Sequence, residues 1–133
     1  MNFLWKDYLA LAVTWLSEAA THRYPEAVYR SAISRAYYAV FHAALDVAQD
    51  LGLQATRSAT DHYRLRKFFE SRGRVAAQLS LALRTLYDLR ISADYEIDEQ
   101  DLVTSDAQAA AQQAIDTAQK ALLVVEYLVR RTK

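Results

Sequence analysis

Apolar residues recur along almost the whole chain at three- and four-residue intervals, the spacing of one face of an α-helix. Leu4, Trp5, Tyr8, Leu9, Ala12, Trp15, Leu16 and Ala19 set out a first amphipathic helix ending near His22. Pro25 suits the first turn of a second helix, where its missing N–H has no partner to lose. That helix runs to about Leu51 and stops at Gly52, a residue suited to a left-handed C-cap. Thr60 or Asp61 can cap a short third helix through Tyr63, Leu65, Phe68 and Phe69, ending before Gly73. From Val75, the stripe Leu79, Ala82, Leu83, Leu86, Leu89, Ala93 defines a fourth helix that fades at Asp94 or Tyr95. Ser105 followed by Gln108 matches a capping box, and Ala111, Ile115, Ala118, Leu122, Val125 and Val129 carry a fifth helix. The pattern predicts an all-α, up-and-down bundle of four long helices plus one short one, a single domain over residues 1–133.

The second helix breaks the usual division between a core face and a solvated face. At about 100° per residue, Ser31, Ser34, Arg35, Tyr38 and His42 fall in one sector, with Ile33, Ala36, Tyr37, Val40 and Phe41 on the other side. Solvated helix faces recruit Glu, Lys and Gln, yet none stands between Ser31 and Leu45. The sector is expected to be covered by a partner.

In the fourth helix, Arg90 and Asp94 sit one turn apart at the edge of the core stripe. As an exposed pair they would contribute only about 0.2–0.5 kcal/mol, in the less favourable order of charges. The alternative is that they face Ser34, Arg35, Tyr38 and His42 and close a polar cluster. His62 lies at the start of the third helix, where free N–H groups and the helix dipole favour an anion; an ordinary polar first turn would look the same. Asp46 follows His42 by four residues and is read as orienting or solvating the ring rather than as half of a metal site.

Composition narrows the chemistry. The 16 basic and 16 acidic residues cancel, so no bulk positive field draws the chain to nucleic acid or membrane, and any anion site must be local. Arginine outnumbers lysine 12 to 4, a preference for the planar fork that matches phosphate or carboxylate, although solvated charge would read alike. The acidic stretch from Asp94 to Asp106 reads as an exposed loop. Without cysteine there is no disulfide and no thiolate chemistry. No apolar run approaches the roughly 18 residues of a membrane span, and a cytoplasmic location without a metal or other cofactor is expected.

The segment Arg30-Ser31, Ser34-Arg35-Ala36-Tyr37-Tyr38-Ala39 and Phe41-His42, joined to Leu89-Arg90 and Ala93-Asp94-Tyr95, resembles the HEPN domain in its small stand-alone prokaryotic form. The similarity spans roughly Glu26 to Val125. The resemblance implies a helical bundle that dimerises and is encoded beside a minimal nucleotidyltransferase, the two forming a toxin–antitoxin pair. It also implies metal-independent ribonucleases among the relatives, which use an Arg followed after four to six residues by His. Arg90 matches the first position, but the candidate partners are Tyr95, Glu96 and Ile97. A tyrosine with an ordinary pKa near 10 is a poor base at neutral pH, and the family's related pattern, a Tyr two residues after the His, meets Ile97.

Three functions stay open on this basis. The chain is a HEPN component of a toxin–antitoxin or defence module, a homodimer that binds a nucleotidyltransferase and a nucleotide or RNA. Or it is a ribonuclease with unorthodox residues: Arg90 and Arg35 on phosphate, His42 or His62 as acid or base, Asp94 and Tyr95 orienting. Or it is an interaction module whose polar cluster sets helix register. Under any binding reading, Ser34, Arg35, Tyr38 and His62 are the candidate anion-binding residues.

Overall fold

A computed structural model describes residues 4–95 and 104–131. Five helices follow in the expected order: α1 (Lys6–Glu18), α2 (Pro25–Asp50), α3 (Thr60–Glu70), α4 (Arg74–Tyr95) and α5 (Thr104–Arg131), with a 3₁₀ turn over Ala19–Thr21 after α1. No strand occurs among the described residues, and the molecule is an all-α bundle. The acidic stretch expected as a loop after Tyr95 lies largely outside the described residues.

Local chemistry explains where the helices stop. Gly52 takes φ 111°, and the Gly52 and Leu53 N–H groups donate to the Gln49 and Ala48 carbonyls at 3.1 and 2.9 Å, closing α2 in a Schellman motif. Gly73, at φ 102°, separates α3 from α4 in the same left-handed conformation. The expected cap on α3 is not made. Ala59 precedes the helix, and Asp61 turns its carboxylate back onto the preceding loop, accepting from the Thr56 and Arg57 N–H groups at 3.0 and 2.9 Å and from the Thr56 hydroxyl at 2.7 Å.

Alanines set the packing distance. Ala32, Ala36, Ala39, Ala44 and Ala48 of α2 and Ala107, Ala111, Ala114, Ala118 and Ala121 of α5 are all buried in one core to which every helix contributes. Side chains this small let helix axes approach closely, and Ile33, Val40, Leu79, Leu83 and Leu86 fill the remaining space. α2 is the central helix. Trp5, at the start of α1, reaches Asp46 late in α2, so these two helices run antiparallel. α2 and α4 do likewise: Arg30 meets the Ala93 carbonyl at 2.7 Å, and the Tyr37 and Tyr87 rings meet at 5.9 Å. The Arg30 guanidinium thereby supplies donors and positive charge to the carbonyl end of α4.

A tyrosine, histidine and arginine cluster between α2, α3 and α4

The two sides of the polar sector of α2 meet different neighbours. On one side α1 covers it. His42 stacks on Trp5 at 4.2 Å between ring centroids, and the Arg35 guanidinium lies 4.9 Å from the Tyr8 ring and 6.0 Å from that of Trp15. The cover expected from a partner is thus partly supplied by this chain's own first helix. Asp46 accepts a hydrogen bond from the Trp5 indole N–H at 2.9 Å, so it holds the ring that stacks on His42 and does not orient the imidazole directly. Arg35 takes no part in the cluster around Arg90, and Ser34 is half-buried with no side-chain hydrogen bond among the described residues.

On the other side, α3 and α4 bring charge to the same helix. The Arg90 guanidinium sits over the Tyr38 and Tyr37 rings at 5.2 and 5.9 Å, and its Nε meets Asp94 Oδ2 at 3.2 Å. Its side chain is only 13% exposed, so this is no ordinary surface pair. His62 comes in from the first turn of α3, stacked on Phe41 at 4.5 Å and on Tyr37 at 5.6 Å, with Tyr87 at 5.4 Å. Its Nδ1 is hydrogen-bonded to the Tyr37 hydroxyl. Arg66, one turn after His62, lies over the Tyr87 ring at 5.1 Å, and its Nη1 is buried without a hydrogen-bond partner.

The surroundings set the protonation states. Burial pushes the Tyr37 phenol far above its ordinary value, and the neighbouring Tyr38 adds to this, so it stays protonated. Burial lowers the pKa of His62, and the positive charges of Arg90 and Arg66 lower it further, with Asp61 acting weakly in the opposite direction. His42 is also lowered by burial, but there Asp46 opposes the effect and no arginine contributes. Both imidazoles are therefore neutral at neutral pH, for different reasons. Asp61 holds the start of α3 in place. Burial would raise its carboxyl, but bonds from Thr56, Arg57 and Arg64 outweigh that and hold it at about 2.

This arrangement can bind and act on an anion. Two guanidinium groups lie on the tyrosine rings that surround an imidazole whose Nε2 makes no hydrogen bond among the described residues. When the Tyr37 hydroxyl donates to Nδ1, the proton sits on Nε2, which can then donate to a phosphate oxygen. When Nδ1–H donates to the phenol oxygen instead, Nε2 can accept a proton. Tyr37 thus couples to the choice between acid and base.

Of the residues selected from sequence, the structure brings Arg90, Tyr38 and His62 together, with the Tyr38 ring 6.3 Å from His62, and leaves His42 on the α1 side of Tyr38, 5.8 Å from its ring. Asp94 joins through Arg90, and Tyr95 ends α4 with its side chain outside the described residues. Tyr37, Arg66 and Tyr87 are the members that sequence reasoning did not single out as site residues. Two carried a signal: Arg66 follows His62 by four residues and Tyr87 precedes Arg90 by three, the spacings that share a helix face. Tyr37 carried none, since it was assigned to the core face and is 1% exposed. No group of three His, Asp or Glu side chains that could hold a metal ion occurs among the described residues. Likewise, no described helix is long and apolar enough to cross a membrane.

The fold is that of an all-α helical bundle protein. A family model of the HEPN domain matches residues 7–128, and the chain belongs to that family. The match reaches further towards the N-terminus than the motif resemblance, taking in α1. No curated protein matches the chain. No solved structure does either.

Proposed function

We propose that the cluster of Tyr37, His62, Arg66 and Arg90 is a phosphate-binding site for RNA or a nucleotide in the HEPN component of a prokaryotic toxin–antitoxin or defence module. The observation that carries this is the convergence of Arg90, His62 and Arg66 on the same Tyr37, Tyr38 and Tyr87 rings. Asp61 is engaged by its own loop and Arg64, and Asp94 pairs with Arg90, which leaves Arg66 as the cation of the cluster without a carboxylate partner among the described residues. An anion with several acceptor oxygens offsets that charge and gives the Arg66 fork an acceptor. Homodimerisation and a minimal nucleotidyltransferase partner belong to the same proposal and rest on the family. Fluorescence anisotropy with a labelled oligoribonucleotide tests the site, and Arg90→Ala should abolish binding at a nearly unchanged melting temperature. A large fall in melting temperature with binding intact would instead make the cluster a device for helix register. Co-expression with the neighbouring gene product, followed by mass measurement of the complex, tests the partner.

One observation favours a catalytic version of this reading. The segment after Arg90 lacks histidine, but α3 delivers His62 to the Tyr37 and Tyr38 rings on which Arg90 lies. In metal-independent cleavage, a base takes the ribose 2′-OH proton, the 2′ oxygen attacks phosphorus and the 5′ oxygen leaves with a proton from an acid. His62 has the protonation state for the first step, and the two arginines stabilise the charge gathering on the phosphate oxygens. Incubating the protein with RNA in chelator checks this. Cleavage that survives His62→Ala would rule it out.

A further inference from the structure

A groove opens beside Arg66. It lies between α3 and α4, has a volume of about 360 Å³, and is lined by Tyr63, Arg66, Lys67 and Glu70 facing Ala77, Ser80, Leu81 and Arg84. Each wall is one helical face, with residues spaced i, i+3, i+4 and i+7. The volume falls within the roughly 300–1,000 Å³ of small-ligand sites. Three of the lining side chains are cationic and one is acidic, so the groove carries net positive charge. Glu70 pairs with Lys67 at 3.0 Å, and Arg84 pairs with Asp88 at 3.3 Å, both on the exposed rim where such pairs exchange readily for other anions.

Arg66 joins this groove to the His62 cluster. Its guanidinium lies 5.1 Å from the Tyr87 ring on one side and 5.8 Å from Tyr63 on the other, and its buried Nη1 has no acceptor. A buried guanidinium nitrogen without an acceptor costs free energy that a phosphate oxygen would recover. Tyr63 is 56% exposed and Leu81 69%, so the groove also presents an aromatic ring and an apolar wall to solvent, the ring approached by Lys67 Nζ at 5.7 Å as well as by Arg66. Cations tracking one edge with an exposed tyrosine beside them are the two components of single-strand recognition, backbone charge and a ring on which a base can stack once the flexible Lys67 turns to phosphate.

We propose that the α3–α4 groove binds the nucleotide of a single-stranded RNA adjacent to the one held at His62 and Arg90, with phosphate on Arg66, Lys67 and Arg84 and the base on Tyr63. This rests on the phosphate-binding role given above to the His62 cluster and extends it from one phosphate to a strand. A free nucleotide needs only the first site. An oligonucleotide uses both, and the groove accounts for the gain.

The test compares a labelled short oligouridylate, read by anisotropy, with uridine monophosphate as competitor. Tyr63→Ala should weaken the oligonucleotide by about 5- to 150-fold, the range for losing one stacked base. Lys67→Glu with Arg84→Glu should weaken it further and flatten its dependence on log salt by about 0.7 for each cation removed. Neither change should alter competition by the mononucleotide. All three residues are exposed, and unchanged melting temperatures establish that the variants fold. Oligonucleotide affinity untouched in both variants but lost in Arg90→Ala overturns the groove and leaves the His62 site standing. Affinity lost in the groove variants but intact in Arg90→Ala keeps the groove and overturns the His62 reading. If the unaltered protein binds no oligonucleotide, or binds polyglutamate of equal charge as well, the proposal fails outright.

Discussion

The two sides of α2 use the same materials for different ends. Towards α1, a histidine and an arginine lie against Trp5, Tyr8 and Trp15; towards α3 and α4, a histidine and two arginines lie against Tyr37, Tyr38 and Tyr87. On the first side the one cation spends its charge on aromatic faces, and the nearest acid, Asp46, anchors an indole. On the second, two cations bear on one imidazole, Arg90 paired with Asp94 and Arg66 with no carboxylate partner among the described residues. Residue type does not separate a packing contact from a candidate site here. The arrangement of charge around the histidine does.

Arg90→Gln addresses that contrast with the largest expected effect. Losing charge-assisted bonds to phosphate should cost about 10- to 100-fold in RNA affinity. In the same variant the NMR titration of His62 should move up towards the ordinary histidine value, while that of His42 stays put, because Arg90 depresses only the former. A His42 midpoint that moves equally would show the two sides to be one electrostatic unit.

Trp5→Ala attacks the opposite side. It removes the stacking surface of His42 and the indole donor to Asp46, at a cost of about 2–3 kcal/mol read from denaturant unfolding. RNA affinity should hold, and a loss comparable to that of Arg90→Gln would assign α1 to the site.

Asp61→Asn comes next, at about 2 kcal/mol, since the carboxylate takes bonds from two backbone N–H groups, a hydroxyl and Arg64. Because its pKa is depressed from 3.8 to about 2, the ionised group stabilises the fold above the ordinary carboxylate range, and this contribution disappears as the pH falls towards 2. Melting of the wild type should therefore decline more steeply than that of the variant on acidification below pH 4. The smallest effect belongs to Arg57, held at φ 60° in the loop before α3. Arg57→Gly should relieve that conformation and stabilise by about 0.5–1 kcal/mol, provided the backbone bond to Asp61 is kept. A destabilised variant would mean that the Arg57 side chain itself holds the loop.

Much of this molecule was legible beforehand. Leu79, Leu83 and Leu86 at helical spacing, Pro25 at a helix start, and Gly52 and Gly73 between helices are local signals, and the helices begin and end within a few residues of where those signals stand. The pairing of Arg90 with tyrosine on α2 was also within reach, because edge positions on two core-facing helices have few places to go. Two steps were not. Arg35 and His42 shared a sector with Tyr38, yet α1 took them, since an angle around a helix axis does not name the neighbour that fills it. Tyr37 was hidden for the converse reason: an apolar ring packs in the core while its one hydroxyl reaches His62.

Periodicity, breakers and caps act over one or two turns, so the order of residues alone was enough for five helices, an all-α bundle and membership of the HEPN family. Which histidine would stand beside Arg90 depended on contacts between helices far apart in the chain. α3 is short, and its position is set by Gly52, by the Asp61 carboxylate and by packing on α4, none of which a single helix encodes. The fold thereby placed His62, where the segment after Arg90 has no histidine of its own, between two arginines and a buried tyrosine.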